Sequence, residues 1–221
     1  MEEYYPILLK SGLFEGIRQN RYSEALKCLH ARVIDYARSA KVVEIGEPCR
    51  NTGIVLKGTL EEFMYDEDGN QVNICRFEEG QIFGAELACG DWGTSPVCLQ
   101  TPTGCTLLLL DLKKLLNPED LNCPCRMRVT ANLMQNMAKQ LLFFNTKIRI
   151  LAQKRLRDRL KIYLQTLTPD KNGCYNLPYK RSELADFLCV DRSALSRELC
   201  RMRDEGLLSF SGTKLHLKDA I

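Results

Sequence analysis

The fold of this chain is decided by the stretch Ser182-Glu-Leu-Ala-Asp-Phe-Leu-Cys-Val-Asp-Arg-Ser-Ala-Leu-Ser-Arg-Glu-Leu-Cys-Arg-Met-Arg-Asp-Glu-Gly206. Ser182 to Leu188 has the spacing of a short helix with Ser182 as its N-cap, and Arg192 to Asp204 has that of a second helix, which Gly206 ends. Two helices that cross steeply need a small residue where they meet, and Ala185 supplies it. The stretch therefore predicts a helix-turn-helix motif.

The second helix of this motif has one apolar face and one polar face. We expect Leu195, Leu199 and Met202 to be buried. The opposite face suits the groove edges and phosphates of duplex DNA, and it carries Arg192, Ser193, Ser196, Arg197 and Arg201. In the turn, Cys189 stands where many such motifs have a glycine in the left-handed conformation.

The segments on either side of the motif are predicted to be a helix, a strand and a hairpin. A basic helix is expected over residues 153–167, followed by a short strand from Cys174 to Tyr179. After the motif, Leu207 to Phe210 and Lys214 to Leu217 predict a β-hairpin with its tip at Gly212. Such a hairpin is the wing of a winged helix-turn-helix domain.

Further upstream, a region of short strands follows a helical entry. Tyr4 to Ala40 has apolar residues at helical spacing, which predicts one or two short helices. From Lys41 to Asp111 short β-branched runs alternate with glycine-rich turns, and Asp68-Gly69-Asn70 is a strong hairpin signal. Many short strands at nearly even spacing predict a β-barrel or jelly roll.

A long helix with a heptad repeat follows Pro118. Apolar positions advance by three and four residues through the heptad seam, which comprises Met127, Thr130, Met134, Met137, Leu141, Phe144, Ile148 and Leu151. Such a narrow stripe packs against a copy of itself or against another element of its own domain. We expect a homodimer whose interface includes Met127, Met134, Met137, Leu141, Phe144 and Ile148.

Charge and composition narrow the class of protein. The chain has 221 residues, 45% of them hydrophobic, which fits one large or two modest globular domains. Residues 1–146 have a net charge of −4 and residues 147–221 a net charge of +7. This asymmetry favours a nucleic-acid-binding module at the carboxyl end, although a cationic face exposed only to solvent would give the same net charge.

Targeting and metal-binding signals are weak. Met1 to Pro6 has two glutamates where a secretory signal needs cations, and no segment is suited to span a membrane, so we expect a cytoplasmic protein. The 11 cysteines are expected to be reduced, since their number is odd and no export signal is visible. No C-x-x-C occurs, and Cys123-Pro124-Cys125 is only a weak metal or redox signal.

With these motifs, the chain resembles the Crp/Fnr superfamily of bacterial transcription regulators. The resemblance runs over nearly the whole chain and is strongest in the helix-turn-helix. The matching positions are Leu13-Phe14, Gly58, Gly69, Gly80-Gln-Ile-Phe-Gly84, the long helix, Leu184-Ala185, Val190 and Leu195-Ser-Arg-Glu-Leu199.

The resemblance implies an α+β fold in three parts. These are a cyclic-nucleotide-binding-like β-roll over residues 1–118, a dimerisation helix and hinge over 119–151, and a winged helix-turn-helix over 152–221. It also implies a sequence-specific regulator, not an enzyme, that binds a near-palindromic site in double-stranded DNA as a homodimer. RNA polymerase is a further partner if the protein is an activator.

The family's DNA-binding residues are carried over by position. The candidates for reading bases are Arg192, Ser193, Ser196 and Arg197. Those for contacting phosphates are Lys180, Arg181, Arg201 and Lys214. Family members often have glutamate where this chain has Ser193, so part of the usual half-site is expected to differ.

The effector site departs from the cyclic-nucleotide members of the family. Those members hold the cyclic phosphate with an arginine-serine pair, whereas Thr94-Ser-Pro-Val-Cys98 has no arginine. Residues 1–27 have no cysteine for an iron-sulfur cluster, and two histidines are too few for haem or cupin-type metal sites. We expect no cofactor and an unidentified small-molecule effector. Its pocket is expected to include Phe83, Gly84, Glu86, Leu87, Trp92 and Met137.

Two alternatives stay open from the sequence alone. One is a thiol-based redox regulator that uses Cys189 or Cys200 beside the DNA-binding face. The other is a cupin-like β-barrel enzyme with an accessory helical domain, which the shortage of histidine ligands disfavours.

Overall fold

The computed structural model describes residues 1–48, 52–90, 93–116, 124–171, 173–177, 179–211 and 214–217. The chain divides into two compact units, Met1–Leu141 and Leu142–Ile221. The boundary falls inside the long helix, so the residues of that helix are divided between the two units. No helix among these residues is long and apolar enough to span a bilayer.

The first unit opens with two short helices, α1 (Tyr5–Lys10) and α2 (Tyr22–Cys28). The expectation of helix up to Ala40 is wrong, because Arg32–Tyr36 forms the strand β1. Val33 continues the helical spacing of α2 in the sequence, but in the structure it pairs with Leu108 of a distant strand. Cross-strand pairing here overrides the local pattern.

The predicted jelly roll is present as a β-roll of two antiparallel sheets. One sheet has the order β1-β8-β3-β6 and the other β2-β7-β4-β5. Besides β1, the strands are β2 (Lys41–Val43), β3 (Thr52–Lys57), β4 (Leu60–Tyr65), β5 (Gln71–Phe77), β6 (Ile82–Phe83), β7 (Cys98–Gln100) and β8 (Cys105–Leu110), with helix α3 (Ala85–Cys89) after β6. This confirms the predicted class of the amino-terminal domain.

The β4-β5 hairpin forms at the predicted tip. Gly69 has φ +80°, and Oδ1 of Asp66 accepts the backbone N–H groups of Asp68 and Asn70 at 3.0 and 2.8 Å. The aspartate therefore satisfies turn amides that neither strand can reach.

Gly53 on β3 is required by the close approach of β8. A Cβ at this position would lie 1.8 Å from the carbonyl oxygen of Leu108. We expect Gly53→Ala to lower the free energy of unfolding by about 1–3 kcal/mol or more, because the two strands must separate locally. Gly93→Ala is the matched control, since a Cβ there meets nothing within 4 Å. Urea unfolding of both variants measures the difference, and equal stabilities would refute this account of Gly53.

The long helix α4 (Arg126–Leu151) is fixed to the first unit by its opening turns. Val129 and Leu133 are buried with the entry helices. The side-chain amide of Asn132 donates to the carbonyl oxygens of Leu13 and Glu15 at 2.9 and 2.8 Å. Half of the heptad seam faces away from these buried positions, whereas its other members, Thr130, Met137, Phe144 and Leu151, are partly buried. Its side chains at Met127, Met134, Leu141 and Ile148 are 87, 67, 61 and 65% exposed.

The second unit contains the predicted helix-turn-helix and its wing. Its helices are α5 (Leu156–Gln165), α6 (Arg181–Phe187) and α7 (Arg192–Asp204), and its strands are β9 (Cys174–Asn176), β10 (Leu208–Ser211) and β11 (Lys214–Leu217). The strands form one antiparallel sheet in the order β10-β11-β9. The predicted tip at Gly212 lies outside the described residues. Leu195, Leu199 and Met202 are buried as expected.

The predicted N-cap of α6 is wrong by two residues. Lys180, not Ser182, is the N-cap, and its backbone N–H donates to the carboxylate of Glu183 at 2.8 Å. An acidic side chain three residues into the helix satisfies this amide, so the helix begins before the serine.

Candidate nucleic-acid interface

The turn between α6 and α7 has the geometry that its sequence requires. Cys189 has φ +53°, as expected for a position that often holds glycine. The backbone N–H of Val190 donates to the carbonyl oxygen of Ala185 at 3.0 Å. This bond closes the last turn of α6. Arg159 of α5 donates to the carbonyl oxygen of Leu188 at 3.0 Å, so the turn is held from outside the motif as well.

The four predicted base-reading residues lie together on the exposed face of α7. Arg192, Ser193, Ser196 and Arg197 are all exposed. Among the described residues, the structure shows no ion pair or side-chain hydrogen bond for Arg192 or Arg197. Both guanidinium groups are therefore available for a groove edge or a phosphate.

The four predicted phosphate contacts have different surroundings. Lys180 is exposed beside the start of α6. Arg201 is 69% exposed and lies 3.6 Å from the carboxylate of Glu198. Arg181 is half-buried, with its guanidinium 4.3 Å from the centre of the Phe210 ring, and burial lowers its pKa. The side chain of Lys214 lies outside the described part of the chain. Because its guanidinium lies over the ring of Phe210 in β10, Arg181 connects α6 to the wing.

Sequence reasoning missed the ion-pair network that holds α7. Arg157 of α5 donates to Glu198 at 2.5 Å and, with two nitrogens, to Glu205 at 2.7 and 2.8 Å. Glu198 is only 13% exposed, so its carboxylate faces α5 and not solvent. A bidentate arginine that contacts two points along one helix fixes its orientation. The partners are 41 and 48 residues away in sequence, and no local spacing signals them.

The predicted effector-pocket residues fall into different environments of the first unit. Phe83 is fully buried in the β-roll core, where its ring centre lies 6.3 Å from that of Phe77. Gly84 has φ +68° at the start of α3, Leu87 is buried, and Met137 of α4 packs against the same core cluster as Ala85 and Ala88. Trp92 lies outside the described residues. The segment 84–88 and the first half of α4 thus share one core.

Glu86 is the unusual polar group of this segment. Its Oε2 is buried and accepts no hydrogen bond from the described residues, and burial raises the pKa of its carboxyl group. Thr130 of α4 also has a buried side-chain oxygen without a hydrogen-bond partner in the described part of the chain. A carboxyl in this setting favours its neutral form.

Glu86 makes stability depend on pH in a defined direction. Since its pKa is raised in the folded chain, the folded state binds this proton more tightly, and the free energy of unfolding falls as the pH rises above about 4.5. We expect Glu86→Gln to remove this fall, because glutamine has no proton to lose in this pH range. Thermal unfolding at several pH values measures it, with the exposed Glu79→Gln as control. Parallel pH profiles for Glu86→Gln and wild type would contradict the assignment.

A cavity of about 600 Å³ in the first unit is lined in part by Ala88 of α3. Its lining includes His30, Arg32, Thr52, Asp111 and Lys113. None of the predicted effector-pocket residues that the structure describes lines it. Arg32 and Lys113 bring positive charge to this lining, and the carboxylate of Asp111 offsets part of it.

The cysteines give no metal centre within the described residues, where no group of three or more histidine, cysteine, aspartate or glutamate side chains could hold an ion. Cys189 and Cys200 are exposed beside the motif. Cys174 and His216 meet in the wing sheet with Sγ and Nε2 3.3 Å apart. The signal at Cys123-Pro124-Cys125 falls partly outside the described residues, and Cys125 is buried.

Residues 158–220 match the Crp-like helix-turn-helix domain. The matched segment contains α6, α7 and the wing strands. The second unit therefore contains a Crp-like helix-turn-helix domain, and the chain is similar to regulators of the Crp/Fnr superfamily. The arginine-bearing face of α7 lies within the matched segment.

Known relatives extend the similarity to most of the chain. The chain is 21% identical over 189 residues to the cAMP-activated global transcriptional regulator CRP of Escherichia coli, covering 83% of this chain and 88% of that protein. The c-di-GMP responsive global regulator CLP of Xanthomonas campestris has a similar fold, with 22% identity, a TM-score of 0.66 and coverage of 91 and 100% of the two chains. So does a CooA mutant from Carboxydothermus hydrogenoformans, with 23% identity, a TM-score of 0.66 and coverage of 94 and 92%.

Proposed function

We propose that this chain is a homodimeric Crp/Fnr-type regulator that binds a near-palindromic DNA site in response to a small molecule. The observation that carries the proposal is the pair of surfaces on α4 and α7. A row of exposed apolar side chains recurs every seven residues on α4, and unpaired arginines lie on the exposed face of α7. A twofold dimer would present α7 twice, which suits two successive major grooves.

The charge distribution supports duplex DNA as the partner. The net charge of +7 belongs to residues 147–221, which contain the helix-turn-helix. Arg192 and Arg197 would read base edges, whereas Lys180 and Arg201 would contribute affinity through phosphates. If the regulator is an activator, RNA polymerase is its second macromolecular partner.

The effector is proposed to be uncharged and to bind beside α3. Among the relatives, CRP of Escherichia coli is described as cAMP-activated and CLP of Xanthomonas campestris as responsive to c-di-GMP. Here residues 94–98 contain no arginine to balance an anionic phosphate. A ligand with a hydrogen-bond donor beside α3 would satisfy the buried oxygen of Glu86.

Selection from random duplex DNA tests the DNA-binding part of this proposal. The full chain is incubated with a library of random duplexes, with and without a cell extract of small molecules, and bound sequences are recovered. The proposal expects one enriched motif with two inverted half-sites about one helical turn, ~10 base pairs, apart. Enrichment of a single half-site, or of no sequence under either condition, would refute it.

A further inference from the structure

The second unit contains a cavity of about 350 Å³ walled by aromatic rings. We call it the aromatic pocket; its walls include Leu142, Phe143, Tyr163, Leu167, Tyr179 and Phe187. All the described residues that line it belong to the second unit. Its volume lies at the small end of the range for ligand pockets, ~300–1,000 Å³, and suits one or two fused rings.

Phe187 organises the walls of the aromatic pocket. Its ring centre lies 6.1 Å from that of Phe143, 5.6 Å from Tyr163 and 5.3 Å from Tyr179. The ammonium of Lys147 lies 5.1 Å from the same ring centre and helps to fix it. Rings at such separations favour an aromatic guest over an aliphatic one, because stacked and edge-to-face contacts add to area burial.

One polar group in the aromatic pocket lacks a partner. Tyr163 is 3% exposed, and its hydroxyl makes no hydrogen bond with the described residues. The lining hydroxyls of Thr146 and Thr166 are already used, because they donate to Leu142 and Tyr163 backbone carbonyls at 2.9 and 2.6 Å. Burial raises the pKa of Tyr163, so its phenol stays a hydrogen-bond donor at neutral pH. A buried donor without an acceptor is costly and points to a missing one.

We infer that the aromatic pocket binds a small, uncharged aromatic molecule whose oxygen or nitrogen accepts the Tyr163 hydroxyl proton. Leu142 and Phe143 are 66 and 37% exposed, so the mouth of the pocket is open to such a ligand. The ligand would contact Phe187, the last residue of α6 before the turn. The site is separate from the effector site proposed beside α3, and its test does not involve DNA.

Calorimetric titration of the full chain with naphthalene and with 2-naphthol tests the inference. The two probes share a ring system, but only 2-naphthol can accept a hydrogen bond from a phenol. We expect 2-naphthol to bind about 3- to 10-fold more tightly than naphthalene, the effect of one net hydrogen bond. Tyr163→Phe should abolish this preference while both probes still bind. The matched control, Tyr65→Phe on an exposed tyrosine, should keep it.

A second pair of variants locates the site. Leu167→Trp should fill the aromatic pocket and remove binding of both probes, whereas Lys113→Trp, at the cavity of the first unit, should leave it unchanged. If Leu167→Trp does not fold, the probe preference of Tyr163→Phe decides whether the inference holds. No binding by wild type, equal affinity for the probes, or a preference that survives Tyr163→Phe would overturn the inference. If the probes bind only when the protein is diluted to monomer, a second copy of the chain covers the pocket in the dimer. That result would also overturn the inference.

Discussion

Arg197→Ala is expected to lower the affinity for the selected DNA site by about 1–3 kcal/mol and to erase the preference at one base position in each half-site. The side chain is exposed on α7, and no ion pair holds it among the described residues. An arginine fork on the O6 and N7 atoms of guanine is the commonest specific contact in the major groove. Competition binding against every single-base variant of the site measures both effects.

Arg203→Ala is the matched control for Arg197→Ala. This variant removes the same charge from the same helix, but the Arg203 guanidinium donates two hydrogen bonds to the carboxylate of Asp204, at 3.0 and 2.9 Å. We expect this control to keep every base preference and to change affinity only uniformly. If Arg197→Ala also weakens all sequences equally, Arg197 contacts phosphate and the base-reading assignment is wrong. Neither variant should alter thermal unfolding, since both side chains are exposed.

Leu141→Glu is expected to convert the protein to a monomer and to abolish tight binding to the palindromic site. Leu141 is in the middle of the heptad seam and is 61% exposed in the single chain, so the change should not unfold it. In a twofold dimer two carboxylates would be buried near each other without partners, at a cost of about 3–5 kcal/mol. Sedimentation equilibrium gives the mass, and a binding titration gives the loss in affinity.

Lys139→Glu is the matched control for the heptad seam. Lys139 is exposed on the same helix, two residues before Leu141, and it is not a seam position. It should leave both mass and DNA affinity nearly unchanged, apart from a small loss through charge. A Leu141→Glu protein that stays dimeric would mean that another surface carries the association.

The parts of the structure that could be predicted from sequence are those set by local chemistry. The bounds of α7, its buried residues and the left-handed turn at Cys189 all follow from spacing within a few residues. The same holds for the β4-β5 hairpin, whose turn is made by Asp66 and Gly69. Helical periodicity and turn propensity act over short distances, so one sequence is sufficient to identify them.

The features that could not be predicted depend on partners far away in the chain. β1 forms because Val33 pairs with Leu108, although its spacing continues a helix. The arginine that orients α7, Arg157, has its partners at Glu198 and Glu205. The surroundings of the predicted effector residue Phe83 also depend on distant partners, since its ring packs in the β-roll core beside Phe77. Composition and spacing do not reveal such tertiary contacts.

The most direct test of the account is the mass of the complex on the selected DNA site. A duplex that carries both half-sites is titrated with the full chain, and sedimentation gives the stoichiometry at saturation. The account predicts two chains per duplex, bound cooperatively, and a sharp loss of affinity when either half-site is scrambled. Binding of one chain per duplex would contradict the account. So would binding of further chains without saturation and without preference for the selected sequence.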